Sequence, residues 1–116
     1  LTIYGNSPKD TKIVRGIEAK FSDVHAELSS KYSVNVNDIP STAMPYNSDH
    51  APFVYEIDNQ PDDGMEYGKA LVCYGSGSSE YHTYLDTMDR FNEESLAVSG
   101  IILGSFIRYL SYGERV

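Results

Sequence analysis

The stretch Leu96–Leu110 constrains the fold more than any other part of this chain. It gathers Leu96, Val98, Ile101, Ile102, Leu103, Phe106, Ile107 and Leu110 at helical spacing, apolar over a broad face. Asn92 or Ser95 can start such a helix, and Glu93 and Glu94 suit the positive end of its dipole. Its longest uncharged run, Leu96 to Ile107, has twelve residues and is too short to span a bilayer. The helix, predicted to end near Tyr109, therefore needs a sheet to cover it. Gly100 and Gly104 read as points of close packing on that sheet, not as a membrane dimerisation motif.

A second long helix is predicted near the N-terminus. Ser7 suits its cap, Pro8 its first position and Asp10 the third residue after the cap. Ile13, Ile17, Phe21, Val24 and Leu28 recur at steps of 4, 4, 3 and 4, one apolar face running to about Lys31. His25 falls on the polar, solvated side. Leu1–Tyr4, Tyr32–Ile39 (with Val34 and Val36 alternating) and Ala70–Tyr74 read as strands. Ser48 is expected to cap a short helix carrying Phe53, Val54 and Ile57, and Asp58–Gly68 to form a surface loop. The order strand, helix, strand, helix, strand, helix predicts an α/β fold with a three-layer α/β/α arrangement, one domain over residues 1–116. A sheet of so few strands does not cover the helices. Exposed apolar surface, an unpaired strand edge and a homo-oligomer are expected consequences.

The net charge of −8 argues against nucleic acid or an anionic membrane as partner. The nine Lys and Arg are scattered and form no basic stripe. Cys73 is the only cysteine, so no internal disulfide forms, and its place in an apolar run suits a small buried hydrophobe. No signal peptide is visible. The chain begins with Leu, as expected of a processed product or a fragment.

Two polar clusters carry the chemistry. Tyr81-His82-Thr83 with Asp86-Thr87 and Asp89 follows the loop Gly75-Ser76-Gly77-Ser78-Ser79, which itself follows the strand at 70–74. Loops after strands are where open α/β sheets present ligand-binding groups. His82 either bridges its loop to a carbonyl or offers a neutral nitrogen to zinc. Tyr81 either packs as an aromatic or, beside a metal-bound carbonyl, stabilises a developing oxyanion. Asp86, Thr87 and Asp89 read as turn and helix-entry groups, with a ligand role for Asp86 the less favoured option. The second cluster is Ser48-Asp49-His50-Ala51-Pro52-Phe53, where Ser48 and Asp49 suit a cap and first-turn acid. No HExxH, paired CxxC, GxSxG elbow or glycine-rich phosphate loop is present.

These two motifs, in this order and followed by a long closing helix, resemble the C-terminal part of the two-zinc aminopeptidases. That family also includes glutaminyl cyclases, glutamate carboxypeptidase and the inactive transferrin-receptor ectodomain. The resemblance covers about residues 45 to 111 and implies part of the sheet of a zinc-exopeptidase (phosphorylase/hydrolase-like) fold. It matches His82 to the last zinc ligand and Tyr81 to the residue that hydrogen-bonds the tetrahedral intermediate. Ser48, Asp49 and His50 match a segment bordering the substrate pocket. The family's other ligands and its general-base Glu lie upstream of what matches here. The expectation is therefore the C-terminal portion of a peptidase domain acting on peptide N-termini, inactive without zinc and the remainder of that domain. The competing expectation is a non-catalytic interaction or structural domain that keeps the fold. A cyclase-type transferase would need a Trp, and the chain has none.

Overall fold

A computed structural model describes residues 1–55, 68–75 and 80–113. Three strands form a mixed sheet in the order β2-β1-β3: β1 (Thr2–Gly5), β2 (Asn35–Asp38) and β3 (Leu71–Tyr74). Helices α1 (Pro8–Val24) and α2 (Ala26–Lys31) carry the chain from β1 to the parallel strand β2, in the manner of a crossover unit. β3 runs antiparallel to β1, with Thr2 opposite Tyr74 and Gly5 opposite Leu71. Two further helices, α3 (Ala51–Tyr55) and α4 (Glu93–Tyr112), complete the described α/β fold. Ile57, the glycine-serine loop after Gly75, and the 58–68 loop up to Gly68 lie outside the described residues.

Register and alternation sort the side chains. Ile3 stands opposite both Val36 and Cys73, so these three share one face of the sheet. On that face Ile3, Val14, Phe21, Val98, Ile102 and Phe106 make the main core. Tyr4 and Val72, opposite each other, belong to the other face, where Val72 joins Met44 and Val54 in a smaller cluster.

The first helix departs from its predicted shape. Its buried positions are Thr11, Val14 and Phe21, while Val24 is 65% exposed. Helix geometry breaks at His25, whose φ of −120° and ψ of 57° end α1 and begin α2. The break contains neither Pro nor Gly. The His25 amide still donates to the Phe21 carbonyl at 2.8 Å, and its own carbonyl accepts from Ser29 at 3.0 Å. The imidazole lies over Phe21 with ring centroids 5.0 Å apart, so His25 is half-buried and not on a solvated face. The bend lets Leu28 and Tyr32 turn back onto the core. Ser7 caps through its backbone alone: its carbonyl accepts from Asp10 and Thr11 at 3.0 Å each.

The last helix starts as predicted. The Asn92 side chain accepts from the Ser95 amide at 3.0 Å. Asn92 Nδ2 also donates to the Tyr32 hydroxyl at 3.1 Å, fastening the start of α4 to the end of α2. Val98, Ile102 and Phe106 form the buried stripe. Leu96, Ile107 and Leu110 are each more than half exposed. The whole helix, of 20 residues, is by length and composition long and apolar enough to cross a membrane, which corrects the reading from its twelve-residue uncharged run. Of its apolar window 17% is buried, where the stripe packs on α1 and Ile3. Gly100 and Gly104 correct the sequence reading: a β-carbon on either would meet open space, so neither is a point of close packing.

Asn6 ties the two ends of the sheet's upper rim together. Its Nδ2 donates to the Gly68 carbonyl at 2.8 Å and the Ser41 hydroxyl at 3.1 Å, while its Oδ1 accepts from the Ala70 amide at 2.9 Å. Gly68 lies against the Phe53 backbone so closely that a β-carbon would overlap the Phe53 carbonyl oxygen.

Candidate functional site

The segment 80–90 precedes α4 in the chain. It is built from successive turns. The Glu80 carbonyl accepts from the Thr83 amide at 2.8 Å, and the Thr83 carbonyl from Asp86 at 3.2 Å. A 3-10 turn over Met88–Arg90 follows, closed by the Arg90 amide donating to Thr87 at 3.1 Å. The Thr87 hydroxyl donates to the Asp89 carboxylate, a side-chain bond within the turn and not a bond to a backbone donor. Asp86 is exposed.

Tyr81 and His82 sit together at the outer turn. Their rings stack with centroids 3.8 Å apart and an interplanar angle of 20°. His82 has φ of 58°, the only non-glycine residue in the left-handed region among those described. Non-glycine residues adopt that region uncommonly. The stack exposes both rings, and among the described residues neither imidazole nitrogen is hydrogen-bonded. The bridge from His82 to a neighbouring carbonyl, one of its two sequence readings, does not form there.

The second cluster is arranged differently. Ser48 and Asp49 are exposed on the turn before α3, and the Ser48 carbonyl, not its hydroxyl, accepts from the Ala51 amide at 3.0 Å. His50 is half-buried, its Nε2 donating to the Pro45 carbonyl. That bond occupies the nitrogen and fixes the ring. Among the described residues no hydrogen bond, ion pair or ring contact joins Ser48, Asp49 or His50 to Tyr81 or His82.

Two open grooves flank the end of β3, with Gly75 between them. One, of about 670 Å³, runs beside Leu1, Cys73, Glu80, Asp86, Arg90 and Leu103. The other, of about 510 Å³, lies on the opposite face beside Tyr4, Pro45 and Tyr74. Tyr81 and His82 line neither. Burial pushes the Cys73 thiol up from its ordinary value, which favours the protonated form; the residue is half-buried, packing on the core and lining the first groove.

One exposed imidazole is a single potential ligand and does not by itself make a metal site. Among the described residues no group of three or more His, Cys, Asp or Glu comes together to complete a centre.

A charged cluster that the sequence reading missed stands at the end of β2. The Thr11 hydroxyl donates to the Asp38 carboxylate, and Arg15 Nη2 reaches its other oxygen at 2.9 Å. The Thr11 hydrogen bond first, then Arg15, hold the Asp38 carboxyl below its ordinary range. Thr11 and Arg15 lie a helical turn apart, which was the available signal, but nothing local pointed to Asp38.

No protein-family model matches the sequence, and no curated protein or solved structure matches the chain.

Proposed function

We propose that this chain carries the C-terminal part of a two-zinc aminopeptidase domain, built as a three-layer α/β/α exopeptidase sheet that the remainder of the domain completes. One observation carries the reading. Tyr81 and His82, the residues the motif assigns to intermediate and metal, form a stacked, exposed pair whose imidazole nitrogens are unbonded among the described residues. Zinc, when bound, supplies Lewis acidity and a bound water acidic enough to ionise near neutral pH. His82 offers a neutral nitrogen ligand. Tyr81, held beside it, presents a phenolic O–H to the oxygen on which charge develops. Ser48, Asp49 and His50 border the pocket for the peptide's N-terminal residue, with His50 pinned by Pro45.

The test uses this chain joined to the rest of its gene product. His82→Ala is expected to lower bound zinc from about two per chain to one and abolish hydrolysis of an aminoacyl-p-nitroanilide. Tyr81→Phe is expected to lower kcat by about 10²–10³ with zinc content unchanged. Unaltered zinc content in His82→Ala would remove the basis for the assignment. The 116-residue chain alone, given zinc, is expected to show no turnover above buffer.

A second reading is favoured by the exposed Leu96, Ile107 and Leu110 on α4. They suit an interaction domain that keeps the fold without catalysis. The coding sequence upstream of Leu1 separates the two. A His-x-Asp motif and a Glu-Glu pair there belong to the peptidase, and their absence to the interaction domain.

A further inference from the structure

We infer that Arg90, acting through Glu80, is a positioning residue for the Tyr81–His82 pair, an inference that rests on the reading of His82 as a ligand only for its functional meaning. Arg90 Nη1 lies 2.7 Å from Glu80 Oε1, closing a loop of ten residues' separation on the residue next to Tyr81. The segment between them has no core to hold it. Tyr81 is 66% exposed and Tyr84 89%, and Thr83, Leu85 and Met88 are exposed as well. Its conformation therefore rests on polar fastenings, and His82 occupies a backbone region that persists only where surroundings enforce it.

Those fastenings converge on the two ends of the loop. The Glu80 carbonyl takes both the Thr83 amide and the Thr83 hydroxyl. The Arg90 amide closes the 3-10 turn on Thr87. The ion pair then joins the two turns across the gap, with Glu80 the less exposed partner at 22%. The contact is a single charge-assisted Nη1–Oε1 bond, part of which an ammonium at position 90 can reproduce. In this inference the geometry of the Tyr81–His82 pair is set by the ion pair, whose two residues also line the groove beside Cys73.

The experiment is proton NMR of the purified chain, reading the mutual ring-current shifts and cross-relaxation of the Tyr81 and His82 rings. Surface ion pairs change populations by a factor of about two to five. Arg90→Met and Glu80→Gln are each expected to lower the ratio of stacked to unstacked rings by about that factor, with circular dichroism unchanged. Arg90→Lys should restore part of the stack, and the double exchange Glu80→Arg with Arg90→Glu should restore more. Retention of the full ring-current shifts in Arg90→Met, or no rescue by either replacement, overturns the inference. A zinc titration followed on the His82 ring protons separates this from the peptidase reading. If zinc perturbs the wild-type ring and does so less in Arg90→Met, both stand. If zinc never perturbs His82 while the stack still depends on Arg90, the metal reading falls and the positioning role remains.

Discussion

Asn6 makes three hydrogen bonds through one carboxamide, which offers donors and an acceptor side by side; Gln has the same group but carries it one methylene further from the backbone. Asn6→Asp keeps the shape but turns a donor into an acceptor facing the Gly68 carbonyl. Asn6→Ala leaves part-buried groups unpaired, and a loss of about 1–3 kcal/mol is expected in urea unfolding. Asp38 illustrates the opposite case, a residue whose charge matters more than its shape. Its folded carboxyl titrates below its ordinary value of 3.8, held there by the Thr11 hydroxyl and then by Arg15. A depressed carboxyl contributes stability that is fully present above the unfolded value and lost as pH falls through the folded one. The wild-type chain should therefore lose stability over that acid window more steeply than Asp38→Asn. Equal slopes of unfolding midpoint against pH in the two proteins would show that the Thr11 and Arg15 contacts do not form in solution.

Element by element, the sequence was most readable where pattern and packing agree. α4 begins at Asn92, one of its two predicted starts, and buries Val98, Ile102 and Phe106 from its apolar face. Ile102, fully buried, should cost about 2–5 kcal/mol as alanine. Ile107, 62% exposed, should change stability by no more than about 0.5 kcal/mol as alanine. Gly100 and Gly104 were misread because spacing alone does not say which side of a helix is covered. With open space around them, Gly100→Ala and Gly104→Ala should each stabilise the protein by about 0.5–1 kcal/mol through helix propensity. In α1 the hydrophobic period passed over Thr11, which is fully buried but polar. Its one hydroxyl proton goes to Asp38, with the Ser7 and Pro8 carbonyls as more distant alternative acceptors, so the buried hydroxyl is paired in a way that no hydropathy pattern registers. The break at His25 left no mark because neither Pro nor Gly makes it. β3 was legible as an apolar run, but a four-residue strand carries no signal of its direction. At the candidate site the residue types of Tyr81 and His82 were readable from the motif. Their stacking, the left-handed backbone of His82 and the Glu80–Arg90 ion pair were not, since each depends on turns that bring distant positions together.

At the scale of the whole molecule, the chain is broader than its core requires. Its Cα radius of gyration is 15.8 Å, against about 13 Å for a compact domain of about 100 residues, and its thinnest dimension is 21 Å. Two features explain the flatness. Among the described residues the sheet stops at β3, whose sequence Leu71-Val72-Cys73-Tyr74 is apolar where β2 is polar. Beside it, α4 leaves Leu103, Ile107 and Leu110 lining an open apolar groove with Ala70 and Leu71. Among the described residues the charged groups lining that groove are Asp10 and Lys69. An apolar strand edge next to an apolar helix face favours association. The net charge of −8 opposes it by repulsion between copies. These two effects make the salt dependence diagnostic. Association driven by the groove should strengthen as salt screens the repulsion, the reverse of an interface held by ion pairs. Light scattering on the isolated chain should therefore show a mass that rises with protein concentration and further with added sodium chloride. Ile107→Lys with Leu110→Lys should hold it at the monomer mass. A wild-type chain that stays monomeric at every concentration and salt level would mean that this face is covered within the chain itself.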